Sequence, residues 1–172
     1  MALQKPVVPG SPKDVRPAPS LDRADTALVE RLATDARATN AELASAAGVA
    51  PSTAHTRVRG LQDRGVITSY HAAVDQAALG NTLQAMIGVT LRPGMRQEAI
   101  NAFTTQVRTH PQVLQFFFLG GNDDFLVHVA VTDSSQLRRF VVDQLSSQNT
   151  VASTHTSVIF EYHHNGVAAA FS

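Results

Sequence analysis

The chain of 172 residues contains no cysteine. That excludes disulfides, thiolate zinc sites and a cysteine nucleophile. An excess of either charge is also missing, since Lys and Arg total 14 and Asp and Glu total 14. Net charge therefore gives no global argument for nucleic acid or membrane, and any DNA footprint has to be local. Long apolar runs are absent too. The longest run of large apolar side chains, Phe116 to Leu119, falls far short of the ~20 residues that cross a bilayer and fits a buried strand. The first residues carry Lys5 as their one positive charge, and the stretch around Val7 and Val8 is too short and too proline-rich for a signal-peptide core. These features lead to the expectation of a soluble, cytoplasmic protein.

What is present is an apolar fraction of 44%, ample for a packed core, on a length that suits one ordinary domain or two small ones. Residues 1–20 hold Pro6, Pro9, Pro12, Pro17 and Pro19 with little periodic apolar content, which reads as a disordered arm. Lys5, Lys13 and Arg16 against Asp14 make it mildly basic. It is either a plain flexible leader or a supporting phosphate contact.

Residues 21–67 carry a helical pattern. Asp22 can cap a first helix that places Ala24, Leu28 and Leu32 on one face. Thr39, Asn40, Ala41 and Glu42 form a capping box for a short second helix, which Gly48 ends. Pro51 suits a first helical position, and Ala54, Val58 and Leu61 follow at i, i+4, i+7, with Gly65 as the stop. Three short helices with about four residues between the second and third describe a helix-turn-helix. The third, over residues 51–64, is the expected recognition helix for double-stranded DNA.

Its outward positions explain that expectation. Ser52, Thr53, His55 and Thr56 occupy the first turns, the part of a recognition helix that reaches base edges in the major groove. Arg57, Arg59 and Arg64 supply local positive charge for phosphates. The rival interpretation is an ordinary amphipathic helix with a solvated polar face. Arg57 has a rival of its own, pairing with an acidic residue inside the domain.

After Val66 the pattern becomes extended, and residues 68–81 read as a linker. From residue 82 the periods alternate. Leu83, Ala85, Ile87, Val89 and Leu91 mark a strand, and Arg92, Pro93 and Gly94 a turn. Ala99, Ile100, Phe103 and Val107 mark a helix closed by His110 and Pro111. Residues 113–119 and 125–131 are two strands around a turn of Gly120, Gly121, Asn122 and Asp123. Asp133 can cap a helix with Leu137, Phe140, Val141 and Leu145 inside, and residues 151–161 form a last strand. The order βαββαβ is the split unit of ferredoxin-like folds, so the fold class is α+β. In the second strand Val113, Phe117 and Leu119 should share one face, and Leu114, Phe116 and Phe118 the other. Two helices cover one face of such a sheet, so a second apolar face predicts burial against another subunit.

As a set, several segments resemble the Lrp/AsnC family, the feast/famine transcription regulators. They are Leu21-Asp22-Arg23-Ala24-Asp25, Asn40-Ala41-Glu42-Leu43-Ala44, Gly48-Val49-Ala50-Pro51-Ser52, Arg57-Val58-Arg59-Gly60-Leu61 and Gly65-Val66-Ile67. Gly121-Asn122-Asp123-Asp124-Phe125-Leu126 and Thr154-His155-Thr156 extend the likeness into the second half. The resemblance implies a helix-turn-helix (winged-helix-like) domain joined to a RAM domain over residues 82–164, with residues 165–172 as a tail. It also implies dimers formed through the RAM sheet, assembly into an octamer as a tetramer of dimers, and amino acids bound between dimers. Location in the cytoplasm, with the nucleoid of a bacterium or archaeon, follows from the same resemblance. Two departures stand out. Ala50 occupies a place where the family often has a capping Ser or Thr, which loses a cap unless Ser52 takes over and the helix starts later. Gly60 occupies a place where a basic residue is common.

The resemblance places effector binding at the second-domain turn. An amino acid needs acceptors for its ammonium and donors for its carboxylate. Asp123 or Asp124 can serve the first. Backbone N–H groups at Gly120, Gly121 and Asn122, with Thr154 or Thr156, can serve the second. The bland alternative is a hairpin turn of ordinary Gly-Asn-Asp chemistry. A metal-responsive regulator built on His128, His155, His163 and His164 is a weaker alternative, because their spacing does not converge, and no metal or other cofactor is expected. An effector-independent architectural DNA-binding protein is another. No nucleophile elbow or phosphate-binding glycine loop supports an enzyme.

Overall fold

A computed structural model describes residues 20–94 and 97–163. The expected arm of residues 1–20, apart from Ser20, and the tail of residues 165–172 lie outside the described residues, as does His164. The chain divides into two compact units between Ala72 and Ala73. That position lies inside the stretch expected as a linker. Residues Ala77–Leu79 of the same stretch form a single 3₁₀ turn closed by Gly80.

The first unit is three helices, α1 (Arg23–Thr34), α2 (Asn40–Ala47) and α3 (Pro51–Asp63). Each boundary has a local cause. The Asp22 carboxylate accepts the Asp25 N–H at 2.8 Å, and Thr39 and Glu42 bond each other's backbone N–H groups at 3.3 and 2.6 Å. Gly48 takes φ 64°, and Val49 N–H then bonds back to Ala44 C=O at 3.0 Å. Leu28, Leu32, Leu43, Ala44, Ala54 and Leu61 form the core, with Val58, Val66 and Ile67 packed against it. Leu28 and Leu61 are fully buried, and truncating a site of this kind to alanine costs about 2–5 kcal/mol.

The structure departs from expectation at both ends of α3. The helix starts at Pro51 with Ala50 as an N-cap that offers no side-chain bond, so Ser52 does not take over the cap. The Asn40 amide instead donates to Pro51 C=O at 2.8 Å and fastens the start of α2 to the start of α3. After Gly65 the Val66 and Ile67 N–H groups both bond to Leu61 C=O, so the chain folds back on the core. No strand follows α3 among the described residues of this unit, so the winged-helix likeness reduces to the three helices.

The second unit is an antiparallel sheet in the order β2-β3-β1-β4, built from β1 (Leu83–Leu91), β2 (Val113–Phe118), β3 (Phe125–Val131) and β4 (Val151–Ile159). Helices α4 (Gln97–Arg108) and α5 (Ser134–Phe140) complete it, and α5 runs on through a π turn over Val141–Ser146. Ala85, Ile87, Val89, Val127, Val129 and Val131 share one face and pack against Phe103, Val107, Leu137, Phe140 and Leu145. Expectation and structure differ in β2. Val113 pairs with Val129 and Phe116 with Val127, with an irregularity between Val113 and Gln115. That extra residue shifts the alternation by one, so Val113 and Phe116 both join the helix-covered core. Phe117 pairs with Leu126 on the opposite face, which also carries Gln84, Met86, Gly88 and His128. Phe117 is 40% exposed there.

Candidate nucleic-acid interface and effector turn

Helix α3 separates its residues cleanly. Ala54 and Leu61 have no exposure, whereas Ser52, Thr53, His55, Thr56, Arg59, Gln62 and Asp63 are all exposed. Ser52, Thr53, Thr56 and Arg59 recur at helical spacing along one stripe. The Thr56 hydroxyl donates to Ser52 C=O at 3.0 Å, which leaves its oxygen lone pairs facing out as acceptors. Among the described residues no carboxylate lies within ion-pair distance of Arg59.

The other two arginines expected at the interface do different work. Arg57 Nη1 lies 2.7 Å from Asp22 and 2.8 Å from Asp25, and Arg64 Nη2 lies 2.7 Å from the second oxygen of Asp25. Asp25 is a buried charge, 7% exposed at its side chain. A carboxylate in that position requires paired cations, and one guanidinium on each oxygen supplies them. The hydrogen bonds to Asp25 and then Asp22 raise the pKa of Arg57. The Asp25 N–H, followed by Arg57, lowers that of Asp22. Arg57 and Arg64 therefore tie α3 to α1, and Arg59 is the arginine of this face that pairs with no carboxylate among the described residues. The pairs join residues 32 to 39 positions apart, so no local spacing signals them. Gly60 leaves open space, since a Cβ built there meets nothing within 4 Å.

The effector turn also sorts its residues. Asp124 closes the sheet: its Oδ2 accepts Leu91 N–H at 2.6 Å, its N–H donates to Val89 C=O, and its C=O accepts Leu119 N–H. One oxygen of that carboxylate is thus engaged by the backbone. Asp123 is partly exposed, and its Oδ1 lies 3.5 Å from His155 Nδ1. Gly120 and Gly121 avoid the left-handed region and have open space at the Cβ position, so neither is required sterically within the chain. Asn122 is exposed.

Thr154 and Thr156 pair with Val89 and Ile87, which puts them on the helix-covered face, where Thr154 lies 3.2 Å from the Ser146 hydroxyl. Asp123 stands on the opposite face, over Gly88. One chain therefore does not bring the threonines to Asp123. Sequence reasoning weighed His155 as a metal ligand and not as a neighbour of Asp123, and it overlooked Gly88, whose available signal was a glycine in mid-strand. His128 is buried on the same face between the Gln84 and Gln115 amide oxygens at 3.0 and 3.4 Å, and burial lowers its pKa. No group of three or more His, Cys, Asp or Glu residues gathers at metal-binding distance among the described residues.

The comparisons with known proteins follow the same two units. The model of the AsnC-type helix-turn-helix domain matches residues 21–62, and that of the Lrp/AsnC ligand binding domain matches residues 84–166. The HTH-type transcriptional regulator AldR of Mycolicibacterium smegmatis is 49% identical over 90% of this chain and 89% of its own. The crystal structure of AldR from Mycobacterium tuberculosis is 40% identical, with a TM-score of 0.68 over 86% of this chain and 99% of that one. A transcriptional regulator of Neisseria meningitidis, solved as an L-Met complex, is 29% identical with a TM-score of 0.80 over 88% and 98%. An exposed recognition helix, a four-stranded ligand-domain sheet and two family models matched in the same order lead to one conclusion: the chain belongs to the Lrp/AsnC family of DNA-binding transcriptional regulators and is not an enzyme.

Proposed function

We propose that the protein acts as a dimer whose two α3 helices enter successive major grooves. Ser52, Thr53, His55 and Thr56 read base edges there, and Arg59 holds phosphate. The observation that carries this reading is the exposed face of α3, acceptor-rich and free of carboxylates as far as Gln62. The second copy covers the sheet face that carries Phe117, Leu126 and Met86, and dimers assemble further into an octamer. The site of action is the cytoplasm, at the nucleoid. An amino acid bound at the Asp123 turn, between dimers, changes how the helices are presented.

Support for the effector comes from the ligand-binding family model and from the L-Met complex of the Neisseria relative. Because Asp123 and the threonines lie on opposite sheet faces, the carboxylate end of the ligand would be met by a neighbouring copy. The test is fluorescence anisotropy on DNA from the protein's own upstream region, with each standard amino acid added in turn. Thr53→Ala and His55→Ala should redistribute preference among operator variants with little change in bulk affinity. Unchanged preference in both variants refutes the assignment of α3. DNA binding that no amino acid alters favours an effector-independent architectural role.

A further inference from the structure

Gly88 sits buried in the middle of β1, where a side chain would ordinarily pack. The space is taken by groups from two other elements. His155, its cross-strand partner on β4, and Asp123 of the β2–β3 turn both close over it. A Cβ on Gly88 would overlap the His155 ring and stand 2.8 Å from Asp123 Oδ2. The glycine thus lets an imidazole and a carboxylate meet above the strand, with His155 Nδ1 at 3.5 Å from Asp123 Oδ1. Of the other side chains on this face, Met86 and Thr90 flank Gly88 on β1 and Ser153 and Ser157 flank His155 on β4, while the titratable His128 stands on β3 opposite Met86. Asp124, the second carboxylate of the turn, is held by Leu91 N–H. Among the described residues, Asp123 is the charged neighbour of His155.

We propose that His155 is a proton-controlled competitor for the effector's ammonium group at Asp123. The inference rests on the reading above that the turn binds an amino acid. A neutral imidazole leaves the Asp123 carboxylate free to accept the ammonium. A protonated imidazole offers the same carboxylate a cation that is already in place, and the ligand must displace it. Acidification therefore weakens effector capture by occupying its acceptor, with the fold unchanged. Gly88 is the positioning element, because any larger residue there would push the ring and the carboxylate away from the strand.

The experiment is calorimetric titration of the full chain with each of the twenty standard amino acids, at about pH 8 and about pH 5.5, which bracket the usual imidazole range near 6.5. The wild-type protein should bind its effector more weakly at the lower pH than at the higher. His155→Gln keeps a polar side chain without the titrating charge, and the ratio of its two affinities should fall to within about twofold of one. Asp123→Asn should lose binding at both pH values. An undiminished pH ratio in His155→Gln overturns the proposal and leaves a turn-bound effector standing, whereas wild-type binding by Asp123→Asn overturns both the proposal and the assignment of the effector to this turn. No binding of any amino acid to the wild-type chain at either pH overturns the effector reading and this inference with it.

Discussion

Arg57 and Arg59 stand two residues apart on one helix, and the structure gives them opposite tasks. Replacing Arg59 with alanine removes an exposed cation that pairs with no carboxylate among the described residues. Each phosphate contact contributes about 0.9 to the slope of log K against log salt, so a bound dimer lacking two such contacts should flatten by about 1.8. Stability should stay within ~0.5 kcal/mol, as for most surface changes. Replacing Arg57 should give the converse. The salt slope should hold, while amide exchange in α1 and α3 speeds up, because Asp22 and Asp25 lose a shared partner.

Asp25→Ala calibrates the second effect. It removes the anion that Arg57 and Arg64 share, so exchange in α1 and α3 should speed up as it does in Arg57→Ala, tempered because both arginines are more than a third exposed to screening water and Arg57 keeps Asp22. The assays are anisotropy titrations over a range of KCl and hydrogen exchange read by mass spectrometry. An Arg57→Ala protein with a flattened slope and normal exchange would refute the division of labour.

Two further outcomes follow from the same packing. Gly60→Ala should raise the stability of the first unit by about 1 kcal/mol in urea unfolding, since the Cβ meets open space and glycine is a poor helix residue; a loss of stability would show that α3 needs the glycine. Burial pushes the imidazoles of His110 and His128 below their ordinary pKa, so the unfolded chain binds protons first and stability rises with pH across that window. The contribution is complete above about pH 6.5 and is lost as the pH falls below it, so the urea midpoint should drop on acidification. His128→Gln should shrink that drop, and an equal drop in the variant would count against the argument.

Features encoded within a few residues were legible in the sequence. Asp22, Thr39 with Glu42, Gly48 and Asp133 mark helix ends by chemistry that acts over three or four positions, and each cap stands where its residue type placed it. The alternation of β1 was as clear, because both of its neighbours follow the same period. What escaped depends on tertiary meeting. The bulge in β2 needs only one extra residue, and nothing in a run of apolar side chains marks where it falls. The π turn after Phe140 keeps Leu145 buried but leaves no compositional trace. An internal acidic partner for Arg57 was one of the expected alternatives, but its identity, the sharing of Asp25 with Arg64 and the meeting of Asp123 with His155 join groups that the chain brings together only after folding.

Asp25 makes the grip on DNA adjustable from a helix that reads no bases. It offsets one unit of the charge that Arg57 and Arg64 bring to α3 and its end, with Asp22 offsetting the other, so the electrostatic reach of the reader is set in part from α1 by a buried residue. A drift from aspartate to a neutral residue would loosen the three-helix unit and at the same time release guanidinium charge toward the duplex. Folding robustness and indiscriminate DNA attraction are thus tied to one carboxylate and move in opposite directions when it changes.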